Sequence, residues 1–248
     1  MDSQQMMSPQ SPAAQPEKAS VWEDFLDIFY SPSQVFRRRA NGNFWIPLLV
    51  VTLLMAVLAF ANRAVMEPIY NSEFARQAPL LLKANPQMTP ELLDRSRRIG
   101  FTFALYGGIV FVPILALILA FVAWLLTKAF GAKLSWNAAM VAASFGLIPR
   151  VVQQIALALQ GLLIDPSQLT TRFSIEFGPA RFMDPNAIQP LLGAVYDHVE
   201  LFILWSVALI TIGVAVMAKL PKARAWAFGA AFWIVTMLPS LWQAWRLT

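Results

Sequence analysis

From Val21 onward the apolar residues fall first into helical stripes and then into long unbroken runs. Trp22, Phe25, Leu26 and Phe29 recur at i, i+3, i+4 and i+7, opposed by Glu23, Asp24 and Asp27. That period predicts an amphipathic helix. Ser31-Pro32 reads as an N-cap followed by proline at the first helical position. The second short helix it starts carries Val35 and Phe36 and ends in Arg37, Arg38 and Arg39. Two seats are open to this segment. On the membrane surface it would bury its aromatics at the acyl boundary and set three cations among phosphates; otherwise the aromatics pack on a bundle of spans.

Five apolar runs follow, at about 44–62, 99–127, 137–164, 200–218 and 225–245. Roughly 18–20 such residues cross the hydrocarbon core as a helix. The first begins at a Phe44-Trp45 pair and holds no charge before Arg63; the last is belted by Trp226, Trp242 and Trp245, aromatics suited to the interface. The second is longer than a crossing needs, and the third is interrupted by Pro149-Arg150.

Between runs one and two, Thr89-Pro90-Glu91 has the form of a helix start, with a cap, a proline at N1 and an acid by the positive dipole end. Glu91 with Arg95, and Asp94 with Arg98, stand at i,i+4 in the favourable order. The second membrane helix is therefore expected to begin outside the bilayer and run straight in. The segment from Asp165 to Glu200 is net acidic and broken by Pro166, Gly178-Pro179, Pro185 and Pro190, which predicts a loop with short helical pieces. Met1 to Ser20 has no basic stretch joined to an apolar core and reads as a disordered tail.

Composition agrees with lipid as the solvent. The 248 residues are 58% hydrophobic and only 13% charged, about half the charge of a soluble domain. The net charge of +5 does not point to nucleic acid, because the cations sit beside apolar runs, where inner-leaflet phosphates attract them. Lys128 and Lys133 lie in one short turn, Lys219, Lys222 and Arg224 in another, and Arg37 to Arg39 precede run one. With five spans all three groups share one side. The positive-inside bias then predicts a cytoplasmic N-terminus and an outside C-terminus.

Chemistry is sparse. With no cysteine and one histidine, His198, no usual zinc or haem ligand set exists. No nucleophile elbow, zincin helix, P-loop or dinucleotide glycine pattern is present. No catalytic, metal or cofactor residue is therefore assigned. One cluster stands out: Pro149, Arg150, Gln153 and Gln154 make a polar notch within one turn of run three. Arginine at the bilayer centre costs at least about 2.5–3.5 kcal/mol, so Arg150 must face water, the bundle interior or a carboxylate such as Glu200 or Asp197. An anionic-headgroup site, a substrate path, a hinge and a purely structural pair all remain open. Gly107-Gly108, Gly213 and Gly229 read as sites of close helix contact.

Asp27-Ile28-Phe29-Tyr30-Ser31-Pro32, followed by Phe36 and the basic cluster, resembles the opening of bacterial Yip1-domain proteins. Phe145-Gly146-Leu147-Ile148-Pro149 is similar to that family's aromatic-to-proline stretch, and Gly131-Ala132-Lys133-Leu134-Ser135-Trp136 precedes it. The resemblance implies five helical spans and a cytoplasmic N-terminus. Eukaryotic members associate with Rab-type GTPases, but their Asp-Leu-Tyr-Gly-Pro phrase is matched only loosely, with an extra residue and Ser31 in place of glycine. Trafficking is not carried across.

The fold expected is all-α: a polytopic transmembrane bundle of about five spans (residues 44–248), behind a tail (1–20) and an amphipathic interfacial segment (21–43). The function expected is a non-catalytic scaffold or adaptor in a bacterial inner membrane. It would touch membrane lipid, and membrane or peripheral protein partners, through Trp22, Phe29, Pro32, Phe36, Arg37, Arg38, Arg39 and the basic turns. The alternative is a small transporter or permeation unit built on the notch. The sequence sets no oligomeric state.

Overall fold

The computed structural model describes residues 20–165, 169, 171–184 and 187–246. The tail up to position 19, and Pro166 and Pro185 of the expected loop, lie outside the described residues. Among those described, the regular structure is helical throughout. The helices are α1 (Val21–Tyr30), α2 (Pro32–Arg39), α3 (Trp45–Ala61), α4 (Arg63–Ala84), α5 (Pro90–Tyr106), α6 (Gly108–Ala129), α7 (Trp136–Gly146), α8 (Ile148–Leu163), α9 (Pro190–His198), α10 (Leu201–Met217) and α11 (Lys222–Trp245). Two 3-10 turns, Arg172–Ile175 and Pro179–Phe182, interrupt the loop before α9.

Three helices are long and apolar enough to cross a membrane alone: α6, the α7–α8 rod and α11. Two bent pairs, α3 with α4 (75°) and α9 with α10 (57°), bring the count up to five. The protein is thus a polytopic helical bundle. Its axis is the α7–α8 rod, whose apolar window is 67% buried against 22% for α6 and 17% for α11. α3, α6 and α10 pack round it, with α11 against α6 and α10.

Local chemistry sets the breaks. Ser135 caps α7 by accepting from Ala138 N–H, and Thr89 caps α5 by accepting from Leu92 N–H. Pro149 offers no N–H, so the rod breaks two residues earlier, at Leu147, and restarts with proline in its first turn, where the missing donor costs nothing. Run two is not one straight helix as expected, because it divides at Gly107 into α5 and α6. Asp94 pairs with both Arg97 (2.8 Å) and Arg98 (3.1 Å), whereas no ion pair joins Glu91 and Arg95 among the described residues.

Close helix contact is made at Gly213, where an added Cβ would stand 3.0 Å from Phe36 and 3.1 Å from Ala142. Gly229 lies similarly close to Thr211. Gly108 faces nothing within 4 Å, and the nearest neighbours of a Cβ at Gly107 are Phe103 of α5 and Phe111 of α6, close along the chain. A close crossing also involves a glycine the sequence did not flag for it: at Gly146 a Cβ would lie 2.3 Å from Cγ1 of Ile210, joining α7 to α10.

Helices α1 and α2 form a hairpin. Ser20 caps α1 in a capping box with Glu23, while Ser31 stands at the α2 N-cap position without a side-chain bond. Asp24, 0% exposed, pairs with Arg38 at 2.7 Å and with Arg39, and Asp27 adds a second carboxylate to Arg38. The buried face of the hairpin packs on the bundle. Phe36 fits against Gly213, Ala142 and Phe145, and Phe25 also meets Phe145. Ala142 is six residues along α7 from Trp136, about 9 Å of helix rise. Phe29 meets Trp205, twelve residues from the Met217 end of α10, about 18 Å of rise. The hairpin therefore stands alongside α7 and α10, with Trp22, Leu26 and Tyr30 facing away from the protein.

Candidate functional site: a polar layer around Arg150

Three chain breaks meet at one level of the bundle: the end of α3 at Asn62, the start of α8 after Leu147, and the start of α10 after Glu200. Each break exposes backbone polar groups that must find partners within lipid. Polar side chains supply them.

Glu200 caps α10. Its Oε2 accepts from the N–H groups of Phe202 (3.1 Å) and Ile203 (3.0 Å), which satisfies two orphan donors and sets an anion at the positive dipole end. The same oxygen lies 3.5 Å from Nη1 of Arg150, and the Glu200 side chain is only 2% exposed. Arg150 Nη1 also donates to Gln153 Oε1 at 2.7 Å. One turn on, buried Asn62 donates through Nδ2 to the Gln154 backbone oxygen (2.8 Å) and to Gln154 Oε1 (3.0 Å). Polar contacts on adjacent turns of α8 thus cross-link it to α3 and to α10. Nearby, Trp233 Nε1 donates to the His198 carbonyl, and His198 Nε2 lies 3.3 Å from Thr236 Oγ1, tying α9 to α11.

The layer lines a cavity of about 290 Å³. Val51 and Met55 of α3 and Leu115 of α6 form its apolar side; Arg150, Gln153 and Gln154 form its polar side. The middle of run three does not by itself fix the depth of Arg150. The α7–α8 rod has 28 residues, about 42 Å of rise against a hydrocarbon core of about 30 Å, so mid-run need not be mid-membrane. Along the rod Arg150 lies about 21 Å from Trp136, and the 17-residue helices α3 and α10 rise about 26 Å from Trp45 and from Met217 to their ends in the layer. This is the half away from the basic turns.

Sequence reasoning found Pro149, Arg150, Gln153 and Gln154 and named Glu200 as a partner. It missed Asn62, because an asparagine just before Arg63 looks like the polar edge of a run. Only the α3–α8 crossing shows it buried.

The N-terminal candidates lie elsewhere. Trp22 and Arg37 are exposed, Phe29 borders exposure, Pro32 is half-buried and Phe36 is fully buried. Arg38 and Arg39 are engaged by Asp24. The hydrogen bond that Arg38 donates to Asp27, and then the one it donates to Asp24, hold its guanidinium above its ordinary pKa. At the same end of the bundle Lys133, Lys219, Lys222 and Arg224 are exposed. Lys128 stacks on Trp124, 3.3 Å from the ring centroid.

A family model described as the Yip1 domain matches residues 26–243. No curated protein and no solved structure matches.

Proposed function

The chain belongs to the Yip1 domain family, and on that premise we propose that it is a non-catalytic integral membrane scaffold. It holds partner proteins or anionic lipid at the face that carries its N-terminal segment and basic turns. One observation carries the reading. Arg37, Lys133, Lys219, Lys222 and Arg224 come from three separate segments and are exposed at one end of the bundle, while Asp24 and Asp27 are spent inside the hairpin. Such a face attracts an anionic leaflet or an acidic protein surface at about 1 kcal/mol per cation. By the positive-inside rule it faces the cytoplasm of a bacterial inner membrane, with the C-terminus outside. Behind it every residue from Ala138 to Pro149 is buried, which gives a stiff platform.

Photocrosslinkers placed at positions 133 and 222 in native membranes test this. Discrete protein or anionic-lipid adducts are expected, and they should disappear when Lys219, Lys222 and Arg224 are changed to glutamate. Adducts unchanged by that reversal would refute the role of the basic face.

The cavity at Arg150 favours the second reading, a small permeation unit. The buried α7 segment from Ala138 to Gly146 stands in line with it on the basic side and offers a solute no polar route. Proteoliposome flux that is lost in Arg150→Leu would nevertheless establish transport.

A further inference from the structure

The polar cavity and an apolar groove share two residues. The groove, about 340 Å³, runs along α6 and is lined by Phe111, Val112, Ile114, Leu115 and Ile118. Val112 and Leu115 also line the cavity that holds Arg150. Because α6 enters at Gly108 from the far side, the groove descends from the polar layer toward the bilayer centre, over about 10 Å from Phe111 to Ile118. A charged, hydrogen-bonding pocket at the head of a greasy trough has the two-part shape of a lipid.

The network decides which polar ends are left over. Arg150 can only donate, so the atom of Gln153 that it meets is the oxygen. Asn62 Nδ2 donates to a backbone carbonyl, so it is the amide nitrogen, and the atom of Gln154 beside it is again the oxygen. Both glutamines therefore have their acceptors engaged and keep their Nε2 donors. Among the described residues both contacts of Arg150 use Nη1, which leaves Nη2 and Nε. The unpartnered acceptors of the network, Asn62 Oδ1 and Glu200 Oε1, belong to residues that do not line the cavity; its polar lining offers a guanidinium edge and two amide N–H groups. That is the complement of a phosphate.

We propose that this site binds one glycerophospholipid of the leaflet away from the basic turns. The phosphate sits at Arg150, Gln153 and Gln154, and one acyl chain lies along α6 from Phe111 to Ile118. The site is separate from the basic face and stands whether or not that face recruits partners.

The test uses the full chain, delipidated in mild detergent and titrated with phosphatidylglycerol, with diacylglycerol of the same chains, and with inorganic phosphate. Thermal unfolding and native mass spectrometry read out binding. Phosphatidylglycerol is expected to raise Tm and to give a one-lipid adduct; the other two are not. Gln153→Leu and Arg150→Gln should weaken that adduct by about tenfold or more. Leu115→Trp fills the trough from an exposed position and should abolish the adduct while the lipid-free protein stays folded. It decides the matter even where Arg150→Gln misfolds. Diacylglycerol binding as well as phosphatidylglycerol would overturn the headgroup contacts. Phosphate alone giving the full shift would make this an aqueous ion site. An adduct unchanged in Leu115→Trp would remove the trough.

Discussion

Replacing Glu200 with glutamine isolates the charge that faces Arg150. The amide oxygen can still accept from Phe202 and Ile203 N–H, so the cap of α10 survives and the ion pair is lost. At 3.5 Å and an effective dielectric of 20, the gross attraction is about 5 kcal/mol. The net loss is smaller, because the Arg150 side chain is 30% exposed and regains some solvation. Breaking a fully buried pair costs about 3–5 kcal/mol; for this half-shielded one about 2 kcal/mol is expected. Arg150→Met alone should cost a similar amount by stranding Glu200, which is the more buried partner. The double variant removes both charges and should lie within about 1 kcal/mol of the parent. Unfolding in detergent, run on all four proteins as a double-mutant cycle, measures the coupling. Single losses that add within about 0.5 kcal/mol in the double variant would refute the pair, and with it the view that Arg150 is held by Glu200.

Phe36→Ala empties a fully buried site between α7 and α10; a loss of about 3 kcal/mol is expected, read as a lower unfolding midpoint with the hairpin becoming protease-sensitive. Gly146→Leu should give little folded protein by size exclusion, since even its Cβ collides with Ile210. With no native cysteine, single-cysteine labelling is clean. Tyr30→Cys, 86% exposed beyond the protein but high on the hairpin, should resist a water-soluble maleimide, whereas Lys222→Cys reacts from the N-terminal side. The hydrogen bond from Arg97 holds the Asp94 carboxyl below its ordinary range. A depressed acid stabilises above its unfolded pKa and stops doing so as pH falls through the folded one. Hydrogen exchange in α5 should therefore be flat from pH 7 to 5 and accelerate, relative to its intrinsic rate, only below about pH 4.

Membership of the membrane class, the helical fold and the positions of the apolar runs were legible because lipid makes length and absence of charge decisive. A stretch such as Gly108–Ala129 has no way other than a helix to satisfy its peptide groups in hydrocarbon. The Arg150 notch was legible for the same reason, since a cation in an apolar run is costly enough to stand out. Patterning could not give depth. A 28-residue rod is longer than the hydrocarbon core is thick, so the centre of a run does not fix the centre of the bilayer. Nor could it choose a seat for α1 and α2. The stripe of Trp22, Phe25, Leu26 and Phe29 suits lipid and protein equally, and the choice was made by Phe36 against Gly213 and by Asp24 closing on Arg38 and Arg39.

One-dimensional order thus determined what each segment must be, a helix with a given polarity and a given charge at its ends. The tertiary structure decided which polar groups meet. Asn62 with Gln154, and Arg150 with Glu200, lie 92 and 50 residues apart, and only the convergence of three helix ends brings them to one level. Hydrogen bonds and ion pairs act over about 3–4 Å, a distance that sequence separation does not record.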